Sequence, residues 1–117
     1  MIKLKSMILE MLTESYEISY QAPHIQGLVT FIASYVPSLK SGRIDMIDIH
    51  PSYEGRGVGS QTVRCFEDWV KKQGGIYVTG FAAFNSSKFW KKVGYSVSSH
   101  KSILGGVTQG YKIKKFL

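Results

Sequence analysis

The spacing of apolar residues divides the chain into a strand-rich first half, one long amphipathic helix and a short helix set between later strands. Met1 to Leu12 alternates only loosely, and Met7, Ile8, Met11 and Leu12 fit a helical stripe as well; a strand is the expectation. Between Tyr16 and Tyr20, residues Tyr16, Ile18 and Tyr20 share one face with polar residues between them, which is the period of a strand. After Ala22-Pro23 and a turn near Gln26-Gly27, Leu28 to Val36 is β-branched, aromatic and uncharged, which predicts a central strand. Pro37 to Gly42 is polar turn material, short enough to return the chain antiparallel. Arg43 to His50 is the predicted fourth strand. Period-two alternation puts Arg43, Asp45, Ile47 and Ile49 on one face, with Ile44, Met46, Asp48 and His50 on the other.

Pro51 ends that strand because it has no N–H to donate, and the run Gly55-Arg56-Gly57-Val58-Gly59-Ser60 follows. Helical spacing resumes at once, with Val58, Thr62, Val63, Phe66, Trp69 and Val70 on one side and Arg64, Asp68 and Lys71 on the other. Gly74-Gly75 stops the helix. Ile76 to Phe81 predicts the next strand, and a strand-helix-strand unit of this length is most simply a right-handed parallel crossover. Asn85-Ser86-Ser87 caps a short helix from Lys88 to Val93 that ends at Gly94. Tyr95 to His100 and Gly110 to Phe116 close the sheet as a pair of strands joined by a loop around Gly105-Gly106.

Strand, glycine-rich turn and helix start, in that order, form an anion-binding device. The glycines let the backbone approach a ligand, and the helix aims its unpaired N–H groups and positive dipole end at the same spot. A pyrophosphate suits it, and a glycine-rich turn without a ligand is the alternative that the glycines alone leave open. Two familiar phosphate loops do not fit. A Walker loop needs Lys-Ser or Lys-Thr after its last glycine, where this chain has Ser60-Gln61, and the even spacing of Gly55, Gly57 and Gly59 departs from a dinucleotide fingerprint.

Composition narrows the class. At 117 residues and 44% hydrophobic, the chain supports one core and is too short for two ordinary domains. Fifteen Lys+Arg against eight Asp+Glu give a formal charge of +7, which favours a polyanionic ligand, an acidic partner or a nucleic acid. The single Cys65 excludes an internal disulfide and most zinc sites and fits a reducing compartment; it is expected as a small buried residue on the helix. Glu10 interrupts the apolar run behind Lys3 and Lys5, so a signal peptide is not expected, and no stretch approaches the roughly 20 apolar residues of a membrane span. A cytoplasmic protein is the expectation.

The stretch from about Arg43 to Tyr95 resembles the GNAT family of acetyl-coenzyme A dependent N-acetyltransferases. Ile49-His50-Pro51 matches the family's hydrophobic-x-Pro step, and Gly57-Val58-Gly59 matches its glycine core. Asn85 and the run Phe89-Trp90-Lys91-Lys92-Val93-Gly94-Tyr95 match an Asn followed by an aromatic-x-x-x-Gly-aromatic signature. The resemblance implies a single α/β domain over residues 1–117: a central, mostly antiparallel sheet with flanking helices, in which the fourth and fifth strands run parallel and splay apart.

It also implies the site. The backbone of Gly55, Arg56, Gly57, Val58, Gly59 and Ser60 would hold the pyrophosphate of acetyl-coenzyme A, Arg56 adding charge. Main-chain atoms of Ile47, Asp48 and Ile49 would pair with the pantetheine arm. Asn85 would contact that arm or serve as the helix cap, and Trp90 would pack against the cofactor. The acceptor is a primary amine, of a protein, peptide or small molecule. The candidate general base is Asp45, expected beside Ile47 and Ile49, with a salt-bridged surface Asp as the alternative. Asp48, on the other face, is the poorer candidate unless a bulge changes the register. His50 is expected as a solvated turn residue.

Two departures from the family pattern matter. Glu54 stands where Gln or Arg opens the family's loop and is expected to face solvent. Trp90 occupies the position of a Tyr whose hydroxyl protonates the leaving thiolate, which leaves Tyr95 as a weak substitute acid. The short N-terminal region leaves little room for the family's paired helices, so the acceptor pocket is expected to be open or completed by a second copy in a homodimer. Two other classes stay in view: a GNAT-fold coenzyme A-binding or regulatory protein without turnover, and, more weakly, a small basic nucleic-acid binder. A membrane partner is not expected.

Overall fold

The computed structural model describes residues 17–21, 29–82, 86–101 and 108–117. The first predicted element, the turn near Gln26-Gly27, Asn85 and the Gly105-Gly106 loop lie outside these residues. In chain order the described elements are β1 (Ile18–Ser19), β2 (Val29–Val36), β3 (Ser41–Ile49), α1 (Val58–Lys72), β4 (Tyr77–Ala82), α2 (Ser87–Lys92), β5 (Ser96–Lys101) and β6 (Thr108–Phe116). They form a six-stranded sheet in the order β1-β2-β3-β4-β6-β5. Among the described strands only the β3–β4 pair is parallel, as the crossover through α1 requires. The closing strands pair with each other as expected, and β6 also inserts beside β4.

β2 and β3 pair antiparallel from Val29–Ile49 to Val36–Ser41, with one irregularity. Ile32 faces Met46 and Ala33 faces Ile44, so Asp45 is the extra residue of a β-bulge. Before the bulge the even-numbered residues Gly42 and Ile44 are buried; after it Ile47 and Ile49 turn inward and Met46 outward. The parity that alternation assigns to the strand therefore holds only up to Ile44.

α1 lies across the inward face of the sheet. Val63, Phe66 and Val70 are fully buried, and each contributes about 1.5–3 kcal/mol by leaving water. The helix sits close to β3 because residue 42 is glycine: a Cβ there would come within 2.6 Å of Val70 Cγ2. Phe66 and Trp69 stack with ring centroids 5.9 Å apart, and Tyr20 meets both, at 5.2 and 5.0 Å. Cys65 is on this helix but exposed, contrary to expectation, because it falls outside the Val63-Phe66-Val70 stripe. The helix ends as predicted: Gly74, at φ +96, turns the chain, and the Gly75 N–H returns to Val70 C=O at 2.8 Å.

Candidate functional site

Strands β3 and β4 part company halfway along. Ser41 to Ile44 pair in parallel with Tyr77 to Gly80; beyond that point β3 continues on β2 and β4 continues on β6. Gly80 marks the fork, where a Cβ would lie 2.8 Å from Ile44 C=O. The strands open into a cleft of about 490 Å³, walled by Ile44 to Ile49 on one side and by Phe81 and Ala82 on the other, with Phe89 and Trp90 reaching in from α2 and with Glu54 and Ser86, just ahead of α2, also lining it. Among these described lining residues, Asp45, Asp48 and Glu54 are acids and none is basic, so a chain of charge +7 carries an acidic cleft.

The glycine loop sits at the rim. Pro51 to Tyr53 form a single 3-10 turn; Gly55 and Gly57 then take φ of +76 and +74, a region open to glycine at little cost. The first intrahelical bond of α1 runs from Gln61 N–H to Gly57 C=O at 3.0 Å, which leaves the N–H groups of Val58, Gly59 and Ser60 without intrahelical acceptors. No acid stands in the first turn. Gly59 joins loop to cleft: a Cβ there would come within 2.7 Å of Ile49 Cδ1 and 3.1 Å of Phe89 Cε1. Arg56 places its guanidinium 5.4 Å from the centre of the Tyr53 ring. His50 is the turn residue expected, accepting from Ser52 N–H at 3.2 Å.

Ile47, Asp48, Ile49 and Trp90 thus come together in the cleft, with Gly55 to Ser60 beside it. Trp90 is 2% exposed and packs edge-on against Phe89 and Tyr95 at 5.0 and 5.1 Å. Glu54 is exposed as expected, but it also lines the cleft. Two face assignments need correction, those of Asp45 and Asp48. Asp45 does not share a face with Ile47 and Ile49, because the bulge turns those two inward and leaves Asp45 outward beside Arg43, whose Nε donates to Asp45 Oδ1 at 3.1 Å. Arg43 in turn grips Glu17, so the salt-bridged surface Asp is realised, although Asp45 still lines the cleft. The bulge also places Asp48 on this outward face, opposite Thr30, so the two acids that alternation separated share it.

Tyr95 is not brought into the cleft. It is buried, and its hydroxyl donates to Glu67 Oε2 at 2.8 Å; burial first, then the Glu67 charge and hydrogen bond, push the phenol well above its ordinary range. Glu67 was absent from the predicted inward stripe, yet it is buried and also accepts from Lys115 Nζ at 3.1 Å. Its signal was its place on the helix, four residues after Val63 and three before Val70, both inward.

The acetyltransferase (GNAT) family model matches residues 8–95, three quarters of the chain. No curated protein matches it in sequence. Solved structures of acetyltransferases share the fold. An acetyltransferase from Bacillus cereus superposes with a TM-score of 0.70 at 20% identity, covering 99% of this chain and 89% of its own. An aminoglycoside 6'-N-acetyltransferase complexed with coenzyme A gives 0.67 at 14% identity, covering 93% and 77%. Nourseothricin acetyltransferase gives 0.66 at 13% identity; 76% of this chain is covered, which spans 57% of that protein. Splayed parallel strands, glycine loop and helix start sit on a mixed α/β sheet of the fold that these acetyltransferases share. The chain belongs to the GNAT acetyltransferase family.

Proposed function

We propose that the protein transfers an acetyl group from acetyl-coenzyme A to a primary amine by direct attack. The observation that carries this reading is the parting of β3 and β4 beyond Ile44 and Gly80, next to the free N–H groups at the start of α1. The residues present fit the donor. N–H groups of Val58, Gly59 and Ser60, with the turn at Gly55 and Gly57, suit a pyrophosphate. The β3 edge from Asp45 to Ile49 has no ladder partner on β4, so its main chain can pair with the amide-bearing arm as an added strand would. Trp90 and Phe89 supply an apolar wall.

In this reading the acceptor comes from the outward face, where Asp45, Met46 and Asp48 stand, because both described helices pack on the inward one. The acidic lining favours a cationic amine. The ammonium first gives one proton to solvent; Asp45 takes the second as the neutral nitrogen bonds to the thioester carbonyl carbon, the carbonyl is polarised near the Ile49 N–H, and the C–S bond breaks to release the thiolate. A second reading, coenzyme A binding without turnover, draws on Trp90, which has no acidic proton to give a leaving thiolate.

Calorimetric titration with acetyl-coenzyme A, followed by mass spectrometry of a panel of proteins and small amines incubated with both, separates the readings. Binding with acetylated product supports the enzyme. Binding without product favours the second reading, and no binding at high micromolar donor defeats both.

A further inference from the structure

The indole of Trp90, which lines the cleft, has no acidic proton to give a leaving thiolate. The cleft offers one neutral hydroxyl among its described lining residues, that of Ser86; the others are apolar residues, the carboxylates Asp45, Asp48 and Glu54, and the indole of Trp90. Ser86 is half-buried and lies four residues before Trp90, just ahead of α2, and both line the same cleft. Its backbone, at φ −105 and ψ 4, introduces α2, and its side chain makes no capping bond to the helix. The hydroxyl turns about its C–O bond, so it can re-aim toward a ligand whatever it bonds in the free chain.

We propose that Ser86 is the group that stabilises the leaving sulfur, through an O–H···S hydrogen bond. This rests on the reading of the cleft as a coenzyme A site. As the C–N bond forms and the C–S bond breaks, the electron pair passes to sulfur. The amine proton goes to the carboxylate base, the Ser86 O–H donates to the thiolate without giving up its proton, and solvent protonates the sulfur afterwards. A serine hydroxyl is far too weak an acid to protonate a thiolate outright, and a hydrogen bond to a charged acceptor is the contribution it can make.

The test is the titration of bound coenzyme A, followed by thiolate absorbance in the ultraviolet. In Ser86→Ala the bound thiol is expected to titrate about one to two pH units higher than in the wild type, the equivalent of a ten- to hundred-fold effect. In turnover, kcat falls by a similar factor with the KM for acetyl-coenzyme A unchanged, and Ser86→Thr restores both. Coenzyme A bound equally by both proteins with the same thiol titration overturns the proposal. So does a titration moved by Trp90→Phe and not by Ser86→Ala, which would assign the bond to the indole N–H. Failure of the wild type to bind coenzyme A defeats the cleft reading and this proposal together.

Discussion

Tyr95 and Glu67 meet inside the core, the phenol donating to Glu67 Oε2 at 2.8 Å with the residues 3% and 6% exposed. Burial and the neighbouring carboxylate raise the phenol's pKa above its ordinary 10.0, so the folded chain holds this proton where the unfolded chain releases it. The group adds no pH dependence below about pH 10. Above it, stability falls by up to about 1.4 kcal/mol per pH unit, because the unfolded state then binds fewer protons. Tyr95→Phe should remove this alkaline slope while lowering stability at neutral pH by about 1–2 kcal/mol. Urea unfolding of both proteins at pH 7 and above pH 10 checks it; equal alkaline slopes would refute it.

Lys115 completes this network, donating to Glu67 Oε1 at 3.1 Å and to Val93 C=O at 3.0 Å, and so ties β6 to α1 and to the end of α2. Lys115→Met keeps the stem and removes the charge, leaving a buried carboxylate. The expected loss is about 2–3 kcal/mol, under the roughly 3–5 of a fully buried pair because water still reaches Lys115. Adding Glu67→Gln should recover most of it, because the amide removes the charge and keeps an acceptor for the Tyr95 hydroxyl, a rescue that thermal unfolding would detect.

Much of this architecture was legible in residue order. Val63, Phe66 and Val70 read as an inward stripe because helical period and burial agree, and Pro51 with Gly55 to Gly59 punctuated the chain where the structure turns. What periodicity missed was the bulge. It assumes an unbroken two-residue repeat, and one extra residue at Asp45 reverses every face beyond it. Glu67 was hidden for another reason: its partners, Tyr95 and Lys115, lie 28 and 48 residues away, so its burial depends on contacts that no local window contains. Cys65 was misjudged from the habits of its residue type, when its position on α1 already faced it outward.

The glycines of the loop should separate folding from binding. A Cβ on Gly57 meets nothing within 4 Å, and the strain is its φ of +74 alone, about 1 kcal/mol for most residues and less for Asn. Gly57→Asn should therefore keep the fold and acetyl-coenzyme A binding, whereas Gly57→Glu should keep the fold and weaken binding at least about tenfold by setting a carboxylate at the helix N-terminus. Gly59→Ala should instead cost about 1–3 kcal/mol, since its Cβ presses on Ile49 and Phe89. Calorimetry with parallel thermal melts distinguishes the cases, and unchanged affinity in Gly57→Glu would rule out a pyrophosphate at this loop.

The bulge makes the choice of base an experimental one between two carboxylates on the same face. Asp45 is 44% exposed at its side chain and engaged by Arg43, an interaction that water weakens, so it can exchange Arg43 for an incoming ammonium. Asp48 lines the same cleft two residues beyond the bulged segment. With Asp45 as the base, Asp45→Asn lowers kcat by about 10²–10⁴-fold and leaves the donor KM unchanged, while Asp48→Asn acts mainly on the KM of the amine. Arg43→Met provides the control: it frees Asp45 without deleting it, and kcat should hold or rise. The reverse pattern, with kcat lost in Asp48→Asn and retained in Asp45→Asn, would move the base to Asp48.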